Sequence, residues 1–151
     1  MNVLLLCLGN ICRSPTAHGV MRSMAAHREL SLRFDSAGTG GWHVGAPPDP
    51  RALSAAYKRG YDLSDLRARQ LSWADFTRFE LILAMDARNL ADARASSPPD
   101  ATAATARFLD FAGIGGDVPD PYLVGGFDEV VTLIERASTA ALDRLSNGDL
   151  R

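Results

Sequence analysis

A cysteine and an arginine near the start of the chain have the spacing of an anion-binding catalytic loop. Cys7 ends a run of apolar residues, Arg13 follows after five intervening residues, and Ser14-Pro15 comes next. A loop of this length can curl so that its backbone N–H groups converge on one anion. The Arg13 guanidinium can bind two oxygens of a phosphate at once, which a lysine cannot do. We therefore predict a nucleophilic Cys7 beside a phosphate site that includes Arg13.

The rest of this loop is expected to bind and support the anion. Gly9 permits the unusual dihedral angles of a tight turn, and the helix that begins near Ser14 directs its positive end at the same place. These surroundings favour the thiolate form of Cys7. The Ser14 hydroxyl is placed to hydrogen-bond that sulfur and help it leave. The residues predicted to bind substrate here are Leu8, Gly9, Asn10, Ile11, Cys12 and Ser14.

The same segment has a simpler interpretation, in which a strand, a turn and a helix enclose a buried and inert Cys7. The strand, the glycine, the Ser-Pro pair and the arginine all agree with a catalytic loop, so we favour that interpretation. Two other phosphate-binding motifs do not fit. The first strand is not followed by Gly-x-Gly-x-x-Gly, and the sequence contains no Gly-Lys-Ser or Gly-Lys-Thr.

The elements that must position the loop are a strand before it and a helix after it. Residues 3–6 form a continuous apolar run that predicts a buried strand. Ser14 as N-cap and Pro15 at the first helical position predict a helix to about Arg28. Further predicted elements are a strand at 32–36, a surface loop at 37–50, a helix at 51–59, a capping box at 72–75, a strand at 81–85, a weak strand at 107–109 and a helix at 127–145.

Strands alternate with helices along most of the chain, which favours a small parallel sheet with helices on both faces. In such α/β folds ligands bind outside the carboxyl ends of the strands. Because the first strand ends at Cys7, the predicted loop lies at that position.

Length and composition set the broad class of protein. The 151 residues fit one domain, residues 1–151. A net charge of -2 argues against nucleic acid as a partner, because phosphate-backbone binding needs a basic face. The longest N-terminal apolar run, residues 3–8, is far shorter than the roughly 20 residues that span a membrane. We therefore expect a cytoplasmic protein without a membrane partner.

Several motifs together give a resemblance to a known family. The run from Cys7 to Pro15 matches the signature of low-molecular-weight protein tyrosine phosphatases. Further matches, in the order and spacing of that family, are Asp35-Ser36-Ala37-Gly38-Thr39, Gly41-Trp42-His43, Ala68-Arg69-Gln70, Met85-Asp86 and Asp120-Pro121-Tyr122. The resemblance covers nearly the whole chain. It implies a flavodoxin-like, four-stranded parallel sheet and the hydrolysis of phosphotyrosine in proteins, without a metal or other cofactor.

The resemblance also assigns the proton donor and the walls of the pocket. Asp120, between two prolines, is expected to protonate the tyrosine leaving group and then to activate water. Trp42 and Tyr122 are expected to line the pocket entrance and to sandwich a phenyl ring. Asn10 and Ser36 are expected to hold the loop by hydrogen bonds.

Two further residues of the matched motifs are expected to be structural. Asp86 is predicted to be a helix cap, and Arg69 is predicted to have a structural role. The resemblance further implies that phosphate or vanadate inhibits the phosphatase activity.

The sequence departs from the family pattern at three places. Leu123 follows Tyr122 where a second tyrosine is common, which leaves the preference for peptides open. Asp65-Leu66-Arg67 stands where many members carry a histidine before Ala-Arg-Gln, so a hydrogen bond that supports the loop is absent or rerouted. His18 occupies a position where glutamate is common, and we expect it at the surface.

Relatives with other activities remain as alternatives. Arsenate reductases with this loop relay a disulfide through two further cysteines, and this chain has no cysteine after Cys12. Family members that act on phosphoarginine carry threonine where this chain has Ile11, which suits a phenyl ring better. An inactive phosphotyrosine-binding module would be expected to lose Cys7, Arg13 or Asp120, and the sequence keeps all three.

Cys12 suggests a second, protective role. From its place in the loop we hypothesise that it forms a reversible disulfide with Cys7 under peroxide, which would spare the nucleophile from irreversible oxidation. A small thiol that only packs the loop is an equally good interpretation of the sequence.

Overall fold

A four-stranded parallel sheet forms the centre of the computed structural model, which describes residues 1–150. Its strands are β1 (Asn2–Cys7), β2 (Arg33–Gly38), β3 (Leu81–Ala84) and β4 (Ala104–Arg107). The strand order is β2-β1-β3-β4. The chain therefore leaves β1 toward one neighbour and returns to pair with β1 on its other side. This reversal of direction creates a crevice at the carboxyl end of β1, where ligands bind in such folds.

Alternating side chains of β1 point into two separate cores. Val3 and Leu5 belong to one apolar cluster, and Leu4 and Leu6 belong to another. All four are fully buried, as expected for a strand covered on both faces. The predicted arrangement of a parallel sheet with helices on both faces is therefore confirmed.

Helices cover the two faces unequally. The helices are α1 (Arg13–His27), α2 (Pro50–Tyr57), α3 (Asp75–Arg78), α4 (Ala87–Ala95), α5 (Phe108–Phe111), α6 (Pro121–Val124) and α7 (Phe127–Ser146). The larger core contains apolar residues of α1, α5 and α7, and the smaller core contains residues of α3 and α4. Helices α4 and α7 consequently lie against opposite faces of the sheet. Within residues 1–150, no helix is long and apolar enough to cross a membrane.

Two local predictions need correction. The helix after the loop begins at Arg13 with Cys12 as its flanking residue, so Ser14 is not the N-cap. The Ser14 hydroxyl bonds the Cys7 sulfur instead. The predicted strand at 107–109 is wrong, because Phe108 and Leu109 lie in α5 and the fourth strand is Ala104–Arg107.

The fourth strand is hard to recognise because it is an edge strand that pairs only with β3. Its residues are partly exposed and consist of alanines, a threonine and an arginine. Thr105 is the one β-branched residue among the four, and none is aromatic, so the pattern that marks strands is weak. The capping box expected at 72–75 is half present. The Asp75 carboxylate accepts the backbone N–H of Ser72, while the Ser72 hydroxyl bonds that carboxylate rather than a helix N–H.

Candidate active site

The loop between β1 and α1 surrounds the sulfur of Cys7 with donors. The Asn10 backbone N–H lies 3.2 Å from the sulfur, and the Ser14 hydroxyl oxygen lies 3.0 Å from it. Asn10 has a φ of 56°, so the chain turns sharply there with a left-handed residue. Cys7 is only 3% exposed. Both groups can donate a hydrogen bond to the sulfur when it carries negative charge, as it does when it leaves phosphorus.

The Asn10 side chain joins this loop to a neighbouring segment of the chain. Its amide nitrogen donates to the Ser14 hydroxyl at 2.8 Å, and its oxygen accepts the Arg69 backbone N–H at 3.0 Å. The expected support of the loop by Asn10 is therefore present. The bond that the Asn10 side chain receives from outside the loop comes from the backbone of Arg69.

Arg69 has the structural role that its sequence position suggested. Its guanidinium forms a two-bond fork with the fully buried Asp75 and also bonds Asp35 within β2. Burial alone would raise the pKa of Asp75, but the bonds from Arg69 and Ser72 lower it overall. The segment that touches Asn10 is thus held by two ion pairs, one of them to a buried carboxylate.

Arg13 lies in the wall of the same cavity, with its side chain 4% exposed. One terminal nitrogen donates to Asp86 at 2.7 Å and to the Val118 carbonyl oxygen at 3.0 Å. The other terminal nitrogen lies 3.6 Å from the Asp120 carboxylate. These contacts fix the guanidinium plane before any anion arrives.

Asp86 has the predicted role and one more. As predicted, its carboxylate caps α4, accepting the Asn89 backbone N–H at 2.7 Å. The same carboxylate holds Arg13, which sequence reasoning missed. The spacing of a motif does not show which arginine will fold against which cap.

Asp120 also lies in the wall of this cavity. It is the N-cap of α6, where its carboxylate accepts the Tyr122 backbone N–H at 3.1 Å. Its side chain is 46% exposed, so it can exchange protons with solvent. The neighbouring Asp117 instead bonds Arg107 and the backbone N–H of Ala87, and it does not line the cavity.

These side chains share one cavity of about 140 Å³. Its lining residues are Cys7, Leu8, Gly9, Ile11, Cys12, Arg13, Trp42, His43, Asp120 and Tyr122. Of the predicted site residues, only Asn10 and Ser14 are outside the lining, and both support the sulfur from behind. Sequence reasoning missed His43 as a pocket residue. Its place in the Gly41-Trp42-His43 motif was the available signal.

The mouth of the cavity is aromatic on two sides. Trp42 is 74% exposed and Tyr122 is 42% exposed. The Tyr122 ring lies against His43, with ring centroids 6.3 Å apart and an angle of 49°. Exposed rings at a cavity mouth offer contact area to an aromatic ligand.

Arg51 connects the loop that carries Asp120 to the loop that carries Cys7. Its guanidinium stacks over Tyr122 and Phe127, 5.6 Å and 4.7 Å from the ring centroids, and donates to the Tyr122 carbonyl oxygen. It also forks onto Asp49, whose backbone N–H donates to the Ile11 carbonyl oxygen at 2.8 Å. No pattern in the sequence predicted this connection.

The second cysteine of the loop has a different chemical state. Burial, followed by the negative charges of Asp49 and Cys7, raises the pKa of Cys12 to about 12. Cys12 is therefore a protonated thiol at neutral pH and a poor nucleophile.

His18 corrects an expectation about the surface. It is 6% exposed, and one of its ring nitrogens lies 3.1 Å from the Ser36 hydroxyl. Burial, and then the charge of Arg22, lowers the pKa of His18 to about 4, so the ring is neutral at pH 7. Ser36 was expected to hold the loop, but its hydroxyl contacts His18 in α1 instead.

The chain was compared with protein families and curated proteins. The family described as "Low molecular weight phosphotyrosine protein phosphatase" matches residues 2–149. The low molecular weight protein-tyrosine-phosphatase YfkJ of Bacillus subtilis is 41% identical over 139 residues, covering 89% of each chain. The low molecular weight protein-tyrosine-phosphatase of Streptomyces coelicolor is 44% identical over 149 residues, covering 93% of this chain and 90% of its own.

Solved structures agree with the sequence comparisons. The crystal structure of YfkJ superposes with a TM-score of 0.93 at 38% identity, covering 98% of this chain and 96% of its own. A structure described as a Drosophila arginine phosphatase superposes with a TM-score of 0.91 at 30% identity, covering 99% of this chain and 100% of its own. The fold therefore recurs in proteins named for two different phosphatase activities.

Proposed function

Because the chain belongs to the low molecular weight phosphotyrosine protein phosphatase family, we propose that it hydrolyses phosphotyrosine through a phosphorylated Cys7. The observation that carries this proposal is the shared cavity. It holds the Cys7 sulfur with two donors, the Arg13 guanidinium and the Asp120 carboxyl group. We also propose that residues 1–151 act as one catalytic domain.

In the first step the Cys7 thiolate attacks phosphorus as the bond from phosphorus to the phenol oxygen breaks. The Asp120 carboxylic acid gives its proton to that oxygen, so tyrosine leaves as a neutral phenol. Arg13 and the loop N–H groups stabilise the charge that spreads over the three remaining oxygens. The bonds from Arg13 to Asp86 and Val118 support this role, because the guanidinium need not be reoriented during the reaction.

In the second step water attacks the phosphorus of the cysteinyl phosphate. Asp120, now a carboxylate, takes a proton from that water, and the bond from phosphorus to sulfur breaks with its electron pair on Cys7. The Ser14 hydroxyl and the Asn10 N–H stabilise the departing thiolate. The products are inorganic phosphate and the enzyme in its starting state. Free phosphate and vanadate are expected to compete for the same site.

The shape of the cavity supports a phenyl ring beneath the aromatic mouth. Ile11, Trp42 and Tyr122 present apolar surface around the space between Asp120 and the phosphate loop. An aliphatic side chain at Ile11 offers no hydrogen bond to a guanidinium group. Phosphotyrosine is therefore the substrate that this cavity fits better than phosphoarginine.

A substrate panel tests this proposal. Phosphate release is measured with peptides that carry phosphotyrosine, phosphoserine or phosphoarginine, without added metal and at mildly acidic to neutral pH. We expect release from phosphotyrosine, none in Cys7→Ser, and inhibition by vanadate. Preferential release of phosphate from phosphoarginine would indicate an arginine phosphatase, the activity for which the Drosophila neighbour is named. Binding of phosphotyrosine without any turnover would instead indicate an inactive binding module.

A further inference from the structure

A second depression continues outward from the catalytic cavity. This groove has a volume of about 610 Å³ and shares two wall residues, Leu8 and Trp42, with the cavity. Its residues are Leu8, Thr39, Gly40, Trp42, Gln70, Leu71, Arg88, Asp92 and Ser96. A cavity of about 140 Å³ holds a single side chain, so the rest of a peptide substrate must lie outside it. The groove that shares its wall is a direct path for that peptide.

Arg88 places an unused positive charge in this groove. It is exposed and has no ion pair or hydrogen bond among residues 1–150. Asp86, two residues before Arg88, pairs with Arg13, and Asp117, which accepts the Ala87 backbone N–H, pairs with Arg107. Asp92, four residues later on α4, has no ion pair with Arg88 among residues 1–150. Arg51, which stacks on Tyr122, is held by Asp49. Arg88 therefore keeps its hydrogen-bond donors for a ligand.

The position of Arg88 also opposes local stability. It is the second residue of α4, where a positive charge interacts unfavourably with the helix dipole. A residue that breaks a local rule without an internal partner is expected at functional surfaces. Asp92, one helical turn after Arg88, adds a negative charge to the same groove. Along α4, Asp92 lies farther than Arg88 does from Asp86, the cap residue that contacts Arg13.

We infer that this groove binds the peptide segment beside the phosphotyrosine and that Arg88 selects an acidic residue close to it. The inference rests on the proposed function and adds a preference for sequence to it. Because α4 starts at the cavity and runs away from it, an acidic residue pairs with Arg88 near the phosphotyrosine. A basic residue farther along the peptide pairs with Asp92. The charges along the groove thus set the register of the peptide.

The test measures kcat/KM for phosphotyrosine peptides with glutamate or lysine at each flanking position in turn. The ratio of the two values at each position is compared within one enzyme variant, so that overall losses of activity cancel. In wild type we expect glutamate to be preferred about two- to fivefold at a position close to phosphotyrosine, as for an exposed ion pair. The preference should weaken as salt is added.

Arg88→Glu should reverse the ratio at that position to favour lysine. Arg136→Glu is the matched control, because it makes the same charge change on an exposed residue of α7, across the sheet from α4. It should leave the ratios as in wild type. Asp92→Lys should convert the lysine preference at the more distant position into a glutamate preference.

The outcomes separate this inference from the function on which it rests. If every ratio in Arg88→Glu equals that of wild type while phosphotyrosine is still hydrolysed through Cys7, the groove assignment is wrong and the proposed function stands. If wild type releases no phosphate from any phosphotyrosine peptide, the proposed function fails and the inference fails with it.

Discussion

At the scale of single residues, the site depends on what surrounds one sulfur atom. The Ser14 hydroxyl lies 3.0 Å from Cys7 and also accepts the Asn10 amide at 2.8 Å. Because the Asn10 amide donates to this hydroxyl, the hydroxyl proton can point at the sulfur, which is nearer than the other acceptor, the Ala37 carbonyl oxygen at 3.4 Å. Ser14 therefore has its largest effect when negative charge returns to the sulfur, as the cysteinyl phosphate breaks down.

Ser14→Ala should slow that breakdown more than it slows the first step. A hydrogen bond to a charged group contributes about 1.5–3 kcal/mol, so we expect kcat to fall about 10- to 100-fold. Rapid mixing should show a burst of phenol equal to the enzyme concentration, followed by slow turnover. Ser23→Ala, on the same helix but away from the cavity, is the control. Equal losses in the burst and in the steady rate would contradict the role of Ser14 in sulfur departure.

The two cysteines should differ in reactivity at neutral pH. Because the pKa of Cys12 is raised to about 12, its thiol stays protonated at neutral pH, and we expect alkylating agents to react at Cys7 instead. Brief treatment with iodoacetamide, followed by peptide mass spectrometry, should find the label on Cys7. Cys12→Ser should be labelled at the same rate as wild type, and inorganic phosphate should protect both. Comparable labelling of Cys12 in the wild type would contradict this assignment.

The protective disulfide between Cys7 and Cys12 stays a prediction. Because Cys12 is a protonated thiol at neutral pH, we expect oxidation to begin at Cys7. Peroxide must first oxidise Cys7 to a sulfenic acid, after which the Cys12 thiol displaces water to form the disulfide. If Cys12→Ser regains activity with reductant after peroxide as fully as wild type does, Cys12 only packs the loop.

At the scale of elements, the phosphate loop is held from outside by the segment that contains Arg69. That segment donates a backbone N–H to Asn10, and its guanidinium joins β2 to α3 through Asp35 and Asp75. Asp75 is fully buried. Removing the arginine leaves that carboxylate without its main partner, which is one of the more costly changes inside a protein.

Arg69→Ala should lower the free energy of unfolding at pH 7 by about 2–3 kcal/mol, a value reduced from the full cost of breaking a buried pair because Arg69 is partly exposed. In wild type the pKa of Asp75 is lowered, so this stability is present at neutral pH and is lost only as pH falls through the lowered value. In the variant, burial raises the pKa of Asp75, and protonation relieves the penalty as pH falls.

The two curves of stability against pH should therefore approach one another toward about pH 4. Urea unfolding of both proteins between neutral and acidic pH measures this. Arg67→Ala is the neighbouring control, because Arg67 donates only to backbone carbonyl oxygens. A difference in stability that stays constant with pH would show that Arg69 does not act through a carboxylate.

At the scale of the whole molecule, His18 connects stability to pH. The buried ring contacts Ser36 across the junction of α1 and β2, and its pKa is lowered from 6.5 to about 4. Below about pH 6.5 the His18 ring therefore binds a proton in the unfolded chain but stays neutral in the folded chain. Stability from this group is complete above that pH and is lost as pH falls toward 4.

His18→Gln should remove this dependence. The shift corresponds to about 3 kcal/mol between neutral pH and about pH 4, and that part of the decline should disappear in the variant. Thermal and urea unfolding across this range provide the measurement. His27→Gln, which changes an exposed histidine of the same helix, should follow the wild-type curve. An unchanged slope in His18→Gln would mean that the ring is protonated in the folded protein.

The sequence predicted the fold and the chemical centre because these depend on short-range patterns. Each of the patterns used lies within one continuous segment: the apolar run of β1, the loop from Cys7 to Arg13, and the apolar spacing of α7. Contacts between segments distant in sequence were not readable. Three contacts depend on how separate segments pack: the ion pair of Asp86 with Arg13, the stacking of Arg51 on Tyr122, and the ion pair of Arg69 with Asp75.

The errors have the same origin. His18 was expected at the surface because glutamate is common at its position, but the packing of α1 against β2 buries it. Ser14 resembled an N-cap because it precedes a proline, but its hydroxyl contacts the sulfur of Cys7. β4 lies at the edge of the sheet, and its only apolar side chains are two alanines.

The central claim is that phosphate passes through Cys7, and trapping the intermediate tests it most directly. A radiolabelled phosphotyrosine peptide is mixed with the protein, quenched in acid within milliseconds to seconds, and digested for mapping. We expect the label on the peptide that contains Cys7, more of it in Ser14→Ala, and none in Cys7→Ser. Rapid release of phosphate with no labelled Cys7 in either wild type or Ser14→Ala, or with undiminished turnover in Cys7→Ser, would contradict the account.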